Sequence, residues 1–332
     1  MKKVRTPDYN YNFDPKTGAF ARWGKTLTDD PKWSPLGPEI MDIEISTICH
    51  GLGAPCKFCY KSNGFTGKNM SLETFIKMFD KFTPNLTQIA FGIGDIEGNP
   101  DMFPIFEYSK NHGVIPNVTI NGWQLNDVNA KRLSELCGAV AVSRYNPKDV
   151  CYDAVKKLTD LGMTQVNIHM LVSEETFKDC QEVLEDAISD PRLAKLNAIV
   201  FLAAKQKGRG TYLTSLSLKK YKELVNDAFA KKVRIGFDSC SANKFLKAIK
   251  GLPNEKLLAT FTEPCESGLF SYYINVDGVA FPCSFMEGQE DIKGIDLLKI
   301  DDFLKDVWLN KEIEKWRTKL QISCRSCPIY KI

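Results

Sequence analysis

The sequence predicts an α/β protein built on a parallel sheet, and three observations carry that expectation. Between residues 39 and 240, short apolar runs alternate with amphipathic segments of helical length. Each strand-plus-helix unit is long enough to cross over and return, and such units join right-handedly into a parallel sheet. Several runs also place polar residues on one parity, whereas parallel strands covered by helices are normally apolar on both faces, so those strands read as the wall of an interior chamber.

Taken in order, residues 1–38 are turn-rich, with Pro15-Lys16-Thr17-Gly18 between two aromatic-bearing segments reading as a hairpin. Pro35, Gly37 and Pro38 form an irregular lead-in, and the whole segment is read as a cover. Strands follow at 40–47, 87–93, 115–120, 139–144, 164–172, 197–203 and 233–239. Helices alternate with them at 71–83, 100–112, 126–137, 148–161, 174–188 and 217–231. One parity of the first strand carries Asp42, Glu44 and Ser46; the fifth carries Asn167 and His169; the last leads through Arg234 and Asp238 to Cys240. Beyond residue 240, Tyr272 to Ala280 alternates around Asp277-Gly278 as a hairpin, and a helix is expected near 300–320. The expected division is 1–38, 39–240 and 241–332.

At 332 residues and 43% apolar content the chain can bury a large core. Its 44 basic and 41 acidic residues are interspersed to a net charge of +3, so no basic footprint for nucleic acid or an anionic membrane is expected. No stretch approaches a membrane span, and the charged start Met1-Lys2-Lys3 is followed by polar residues; a cytoplasmic protein is expected. Eleven cysteines in such a chain point to metal before disulfides, because the cytosol keeps thiols reduced. Cys137, Cys151, Cys180 and Cys240 stand singly in apolar or helical contexts, as buried thiols do.

Three of the remaining cysteines, Cys49, Cys56 and Cys59, fall within eleven residues on the loop leaving the first strand. Three thiolates leave one iron of a four-iron cluster open to a small molecule, as catalytic zinc sites keep a free position. A zinc knuckle or three buried thiols is the alternative reading. Gly51, Gly53 and Pro55 suit a loop that bulges between Cys49 and Cys56.

Cys59-Tyr60 on a loop after an apolar strand resembles the cluster loop of the radical S-adenosylmethionine (radical SAM) superfamily. The spacing here is C-x6-C-x2-C, where that family usually has C-x3-C-x2-C. The resemblance implies a partial (β/α)6 barrel, a SAM-binding 4Fe-4S cluster on Cys49, Cys56 and Cys59, and SAM contacts from Tyr60. It also places Gly92, Gly94 and Asp95 where the family carries Gly-Gly-Glu, and Asn121 where it carries Thr-Asn-Gly. Ser143, Asn167 and His169 fall where the family contacts ribose and carboxylate. His50, beside a cluster cysteine, is read as a surface residue, and Lys207-Gly208-Arg209-Gly210 lacks the rest of a phosphate-binding loop.

Downstream, Cys265-x12-Gly278-x4-Cys283 and Cys324-x2-Cys327 supply four more sulfurs. The first element resembles the opening of the SPASM extension and, with one pair after it, its shortened form, the Twitch domain. The implied C-terminal part is a small hairpin-plus-helix domain with a second, auxiliary iron-sulfur cluster; the same four residues also suit tetrahedral zinc.

The expected function is reductive SAM cleavage to a 5'-deoxyadenosyl radical that takes hydrogen from a peptide or protein, giving a crosslink, a thioether or an epimer. A reductase such as flavodoxin or ferredoxin would feed the cluster. Glu44 is a candidate catalytic group facing the chamber, and Cys240 a candidate hydrogen donor, with a buried structural thiol as its alternative. Modification of a small molecule or nucleotide is the second enzyme reading, and an iron-sulfur electron carrier the non-catalytic one.

Overall fold

The structure is a computed structural model of the chain, described here for residues 1–289 and 292–330. It opens with a three-stranded antiparallel sheet, β1 (Lys2–Arg5), β2 (Asn10–Phe13) and β3 (Phe20–Trp23). The β2–β3 turn is the expected hairpin around Gly18, whose φ is +72°.

The main sheet then builds strand by strand. Its members are β4 (Ile40–Glu44), β5 (Gln88–Gly92), β6 (Ile115–Ile120), β7 (Ala139–Ser143), β8 (Val166–Val172), β9 (Ala198–Ala203) and β10 (Ile235–Phe237). They lie side by side in chain order, every pair parallel. Connecting them are α1 (Leu72–Phe79), α2 (Met102–Asn111), α3 (Asp127–Leu136), α4 (Asp149–Asp160), α5 (Phe177–Ser189) and α6 (Leu218–Ala230). Local chemistry fixes their starts: Ser71 accepts from the Thr74 N–H at 3.1 Å, and Asn126 from the Asn129 N–H at 2.8 Å. The helices bury apolar stripes such as Val155 and Leu158 of α4 against Val140, Val142 and Ile168, all fully buried in one core.

After β10 a 3-10 turn holds Ser239–Ser241, so Cys240 stands just beyond the strand, followed by α7 (Ala242–Ile249) and α8 (Glu255–Thr260). The C-terminal hairpin is β11 (Ser271–Ile274) and β12 (Val279–Phe281), turning at Asp277-Gly278 with Gly278 at φ +79°, and β13 (Ile295–Asp296) adds to β12. β11 pairs in parallel with β4, so the hairpin continues the sheet past its first strand to ten strands in all.

The expected helix near 300–320 is two pieces, a π-helical turn Leu304–Trp308 and α9 (Lys311–Ile322). The break has a local cause: the Asn310 side chain accepts from the Glu312 N–H at 2.9 Å and starts a new helix. The buried Trp308 indole is fixed in turn by donating to Ser34 O at 2.7 Å.

The N-terminal sheet packs on the C-terminal part of the chain. Tyr9, Tyr11 and Phe13 share a small core with Cys265, Leu269, Phe270 and Leu320. Beneath it Arg22 pairs with Glu39 at 2.8 Å, both side chains almost fully enclosed.

Candidate functional site

Loops at the carboxyl ends of the parallel strands meet over one end of the sheet, the end where α/β barrels place their chemistry. The cysteine loop follows β4; Gly94 and Asp95 follow β5; Asn121 follows β6; Ser143 ends β7; residues 205–210 follow β9.

Cys49, Cys56 and Cys59 are each partly exposed. The extra residues of the first interval bulge as the glycines suggest, with Gly51 at φ +62° and Gly53 at φ +94°. A β-carbon on Gly51 would stand 2.1 Å from Ala54 O. Burial pushes the Cys49 thiol up to about 11; the Gly51 N–H opposes this, and Asp95, Cys56 and Cys59 add to it. Cys56 is raised by burial and by Cys59, against the opposing charge of Arg209. The three thiols therefore share one electrostatic neighbourhood.

Asp95 and Asn121 both face this loop. Asp95 Oδ2 accepts from the His50 N–H at 2.7 Å and meets His50 Nδ1 at 2.6 Å, while Asp95 Oδ1 accepts from Asn121 Nδ2 at 2.8 Å. Asn121 Nδ2 also donates to Gly51 O at 3.0 Å. Gly94 lies against Cys49 so closely that a β-carbon there would stand 2.4 Å from Sγ. His50 is thus tied by its ring to Asp95 and helps to anchor the loop.

A second support was not legible in the sequence. Arg209 donates from Nε to Cys56 O at 2.8 Å and from Nη2 to Asn63 O at 2.7 Å, and its backbone N–H donates to Cys59 O at 3.0 Å. A β-carbon on Gly208 would meet Tyr60 O at 2.4 Å, and one on Gly210 would meet Phe58 O at 2.9 Å. The glycine-rich turn after β9 therefore clasps the cysteine loop, and its glycines are the only signal the sequence offered.

Beside the loop, Lys61 joins a buried polar network. Its ammonium lies 3.1 Å from Glu44 Oε2, donates to the Tyr273 hydroxyl at 2.7 Å, and pairs with Glu287. Asn275 Nδ2 donates to Glu287 Oε1 at 2.7 Å, and Lys207 Nζ to Glu287 O at 2.7 Å. Burial raises the Glu44 pKa against the pull of Lys61. Burial also presses upward on Glu287, but the bond and charge of Lys61 leave it lowered. Glu44 is accordingly held as the partner of Lys61, on the wall of a cavity of about 470 Å³ that Tyr60, Lys68 and Lys207 also line.

Further inside, Asp42 is surrounded by protein and yet its side chain meets solvent, so it borders an internal space; burial pushes it up to about 6. His169 is lowered to about 4 by burial, with Asp238 opposing, and its Nδ1 lies 3.4 Å from Thr119 Oγ1. Gly92 ends β5 level with Glu44. Tyr60 packs on Phe285 with ring centres 4.6 Å apart. Ser143 pairs in register with His169, next to a cavity of about 320 Å³ lined by Cys56, Phe58 and Tyr145. Asn167 lies near the start of β8, where its Oδ1 accepts from Asn197 Nδ2 at 2.9 Å, and is not brought to the cysteine loop.

Of the second cysteine set, Cys265 is buried and Cys283 and Cys327 partly so, while Cys324 is exposed. Burial pushes Cys265 up to about 12, with Ser267 opposing and Cys283 and Cys327 adding. Among the described residues no group of three or more His, Cys, Asp or Glu side chains closes on a single ion. A tetrahedral zinc site needs its sulfurs about 3.8 Å apart, given Zn–S bonds near 2.3 Å. An iron-sulfur cluster instead seats each cysteine on its own iron and spreads them wider. Soft thiols that influence one another without closing on a single ion, with His50 engaged by Asp95, fit a cluster better than one ion.

No protein-family model and no curated protein matches the sequence. Solved structures do match. SuiB of Streptococcus suis aligns with a TM-score of 0.67 at 15% identity, over 85% of this chain and 68% of that one. SuiB bound to precursor peptide SuiA gives 0.65 at 14% identity, over 84% and 66%. Native anSMEcpe with bound AdoMet and Cp18Cys peptide gives 0.61 at 17% identity, over 88% and 86%. The fold is the radical SAM fold. Among the described residues no helix is long and apolar enough to cross a membrane.

Proposed function

We propose that this chain, carrying the radical SAM fold, is a radical SAM enzyme that modifies a peptide or protein side chain. The observation that carries the reading is the gathering of Cys49, Cys56 and Cys59 on the loop leaving β4, clasped by Arg209 and wedged by Gly94. These three would hold a SAM-binding 4Fe-4S cluster, and an auxiliary cluster would sit on Cys265, Cys283 and Cys327 with a fourth thiol beside them. The bound cluster, reduced by a flavodoxin or ferredoxin, would supply the electron that cleaves SAM and so the radical that takes hydrogen from substrate.

The chain's own share is positioning and exclusion of water. Asp95, His50 and Asn121 fix the bulged half of the loop, and Arg209 the Cys56–Cys59 half. Asp42 and His169 border the interior where SAM and the reacting carbon would meet, and Tyr60 lines the cavity beside Glu44. With His169 lowered to about 4, its ring is neutral at ordinary pH and offers one donor and one acceptor without adding charge. The polar cavity at Glu44, Lys61 and Lys207 opens beside this interior and suits a polar chain segment. A peptide substrate is supported by the likeness to SuiB bound to SuiA and to anSMEcpe bound to Cp18Cys.

Anaerobically reconstituted protein with dithionite and SAM should release 5'-deoxyadenosine, and Cys56→Ala and Cys59→Ala should not. Equal release from the alanine variants would refute the assignment. Mass spectrometry of a short peptide encoded beside the gene, after co-expression, should show a loss of hydrogen or a new crosslink; an unchanged peptide mass and stereochemistry would count against the peptide reading.

A further inference from the structure

Cys324, the first member of the Cys324-x2-Cys327 pair, is exposed and occupies left-handed backbone at φ +51°. Its position is set by the end of α9: the Cys324 N–H donates to Gln321 O at 3.1 Å and the Arg325 N–H to Leu320 O at 2.8 Å. Arg325, at φ +57°, then turns back to donate from Nε to Cys265 O at 2.9 Å. The turn is thereby fixed from both sides while the Cys324 thiol stands outside it.

Cys240 lies on the inner side of the same region, held there by two independent contacts. Lys205, just beyond β9, donates from Nζ to Asp238 Oδ2 at 2.5 Å and lies 4.6 Å from the centre of the Phe285 ring. Asp238 is two residues before Cys240 and Phe285 two residues after Cys283, so this lysine draws the two segments together. Asn243, three residues after Cys240, donates from Nδ2 to Ser326 Oγ at 2.5 Å, and Ser326 adjoins Cys327. The Cys240 turn is thus pinned to the chain beside Cys283 and to the chain beside Cys327. Its thiol is raised first by burial, with Lys205 opposing and with Asp238, Cys265 and Cys283 adding, which places it in the same neighbourhood as Cys265 and Cys283.

Resting on the auxiliary-cluster reading above, we propose that the fourth ligand of the auxiliary iron-sulfur cluster is Cys240, completing Cys265, Cys283 and Cys327, and that Cys324 is not a ligand. Ligation converts four thiols to thiolates, releases four protons to solvent and moves no electron. Lys205, enclosed and paired with Asp238, would place a positive charge beside the added thiolate. Cys240 is then committed to iron and is not a hydrogen-atom donor. The carboxyl end of β10 becomes joined through the cluster to the β11–β12 hairpin.

The test uses the full chain carrying Cys49→Ala, Cys56→Ala and Cys59→Ala, so that only auxiliary iron is counted. After anaerobic reconstitution this parent should hold about four irons per chain and give a low-temperature EPR signal on reduction. Adding Cys324→Ala should leave iron, sulfide and spectrum unchanged. Adding Cys240→Ala should remove at least half of the iron, and the near-isosteric Cys240→Ser should keep the fold, judged by circular dichroism, while shifting the EPR signal. Loss of iron with Cys324→Ala, or an unaltered spectrum with both Cys240 variants, overturns the assignment. An iron-free parent also overturns it, whereas failure of the SAM-cleavage reading would appear separately, in wild-type protein that forms no 5'-deoxyadenosine.

Discussion

Gly94 and Cys49 meet backbone against thiol: a β-carbon added to Gly94 would stand 2.4 Å from Cys49 Sγ and 2.5 Å from its Cβ. Contacts under 3 Å force one partner to move, and the loop that would move carries all three thiols. A displacement near the reacting centre of about 1 Å can cost roughly 100-fold in rate. Gly94→Ala is therefore expected to lower 5'-deoxyadenosine formation at least roughly tenfold and to reduce bound iron. Gly64→Ala, where nothing lies within 4 Å, should leave both unchanged.

Arg209 holds Cys56 O and Asn63 O through two arms of one guanidinium. Hydrogen bonds to a charged group contribute about 1.5–3 kcal/mol each, and a lysine has no fork with which to span both carbonyls. Arg209→Ala should therefore speed iron loss to a chelator, and Arg209→Lys should restore little of the lost protection. Chelation at the wild-type rate would remove Arg209 from the support of this loop.

The ammonium of Lys61 separates the carboxylates of Glu44 and Glu287 in an enclosed setting. Removing one partner of a buried ion pair costs about 3–5 kcal/mol, because the remaining charge stays uncompensated. Lys61→Met should lose stability of that order in urea unfolding. Lys61→Met combined with Glu287→Gln should recover part of it.

Protonation of His169 should couple folding to acidity. Its folded pKa of about 4 lies below the ordinary 6.5. Between those values the unfolded chain binds a proton that the folded chain does not, so this residue's contribution falls as pH drops from 6.5 toward 4 and is constant above. The total is about 3 kcal/mol. Asp42, raised to about 6, acts in the opposite direction, so the measurement is the difference between wild type and His169→Gln at pH 7.5 and 4.5. With three histidines in the chain, their NMR signals should show one ring that stays neutral well below pH 6.

Strand periodicity made the sheet legible: residues 115–120 are β6 as read, and the remaining strands differ by a few residues at their ends. The Asp277-Gly278 turn and the bulging glycines of the cysteine loop were also legible, since each needs only local backbone freedom. What escaped was contact between distant segments. Arg209 reaches a carbonyl 153 residues away, and nothing in its own neighbourhood signals that. The pairing of β11 with β4 likewise follows from closure of the sheet, and alternation within either strand is the same with or without it. The split before α9 escaped because Asn310 is read as an ordinary helix residue until its side chain is seen to cap.

The place of β11 also sets an order of events during synthesis. Glu44 and Tyr273, bonded at 3.1 Å across these neighbouring strands, are separated by 229 residues of chain. At ribosomal speeds of about 5–20 residues per second, β4 waits on the order of 10–50 s with one edge unpaired. A bare, apolar strand edge invites pairing with another molecule. Nascent chains stalled before residue 271 should therefore be the ones that draw chaperones or clump, and shortening that interval by circular permutation should raise the yield of soluble protein.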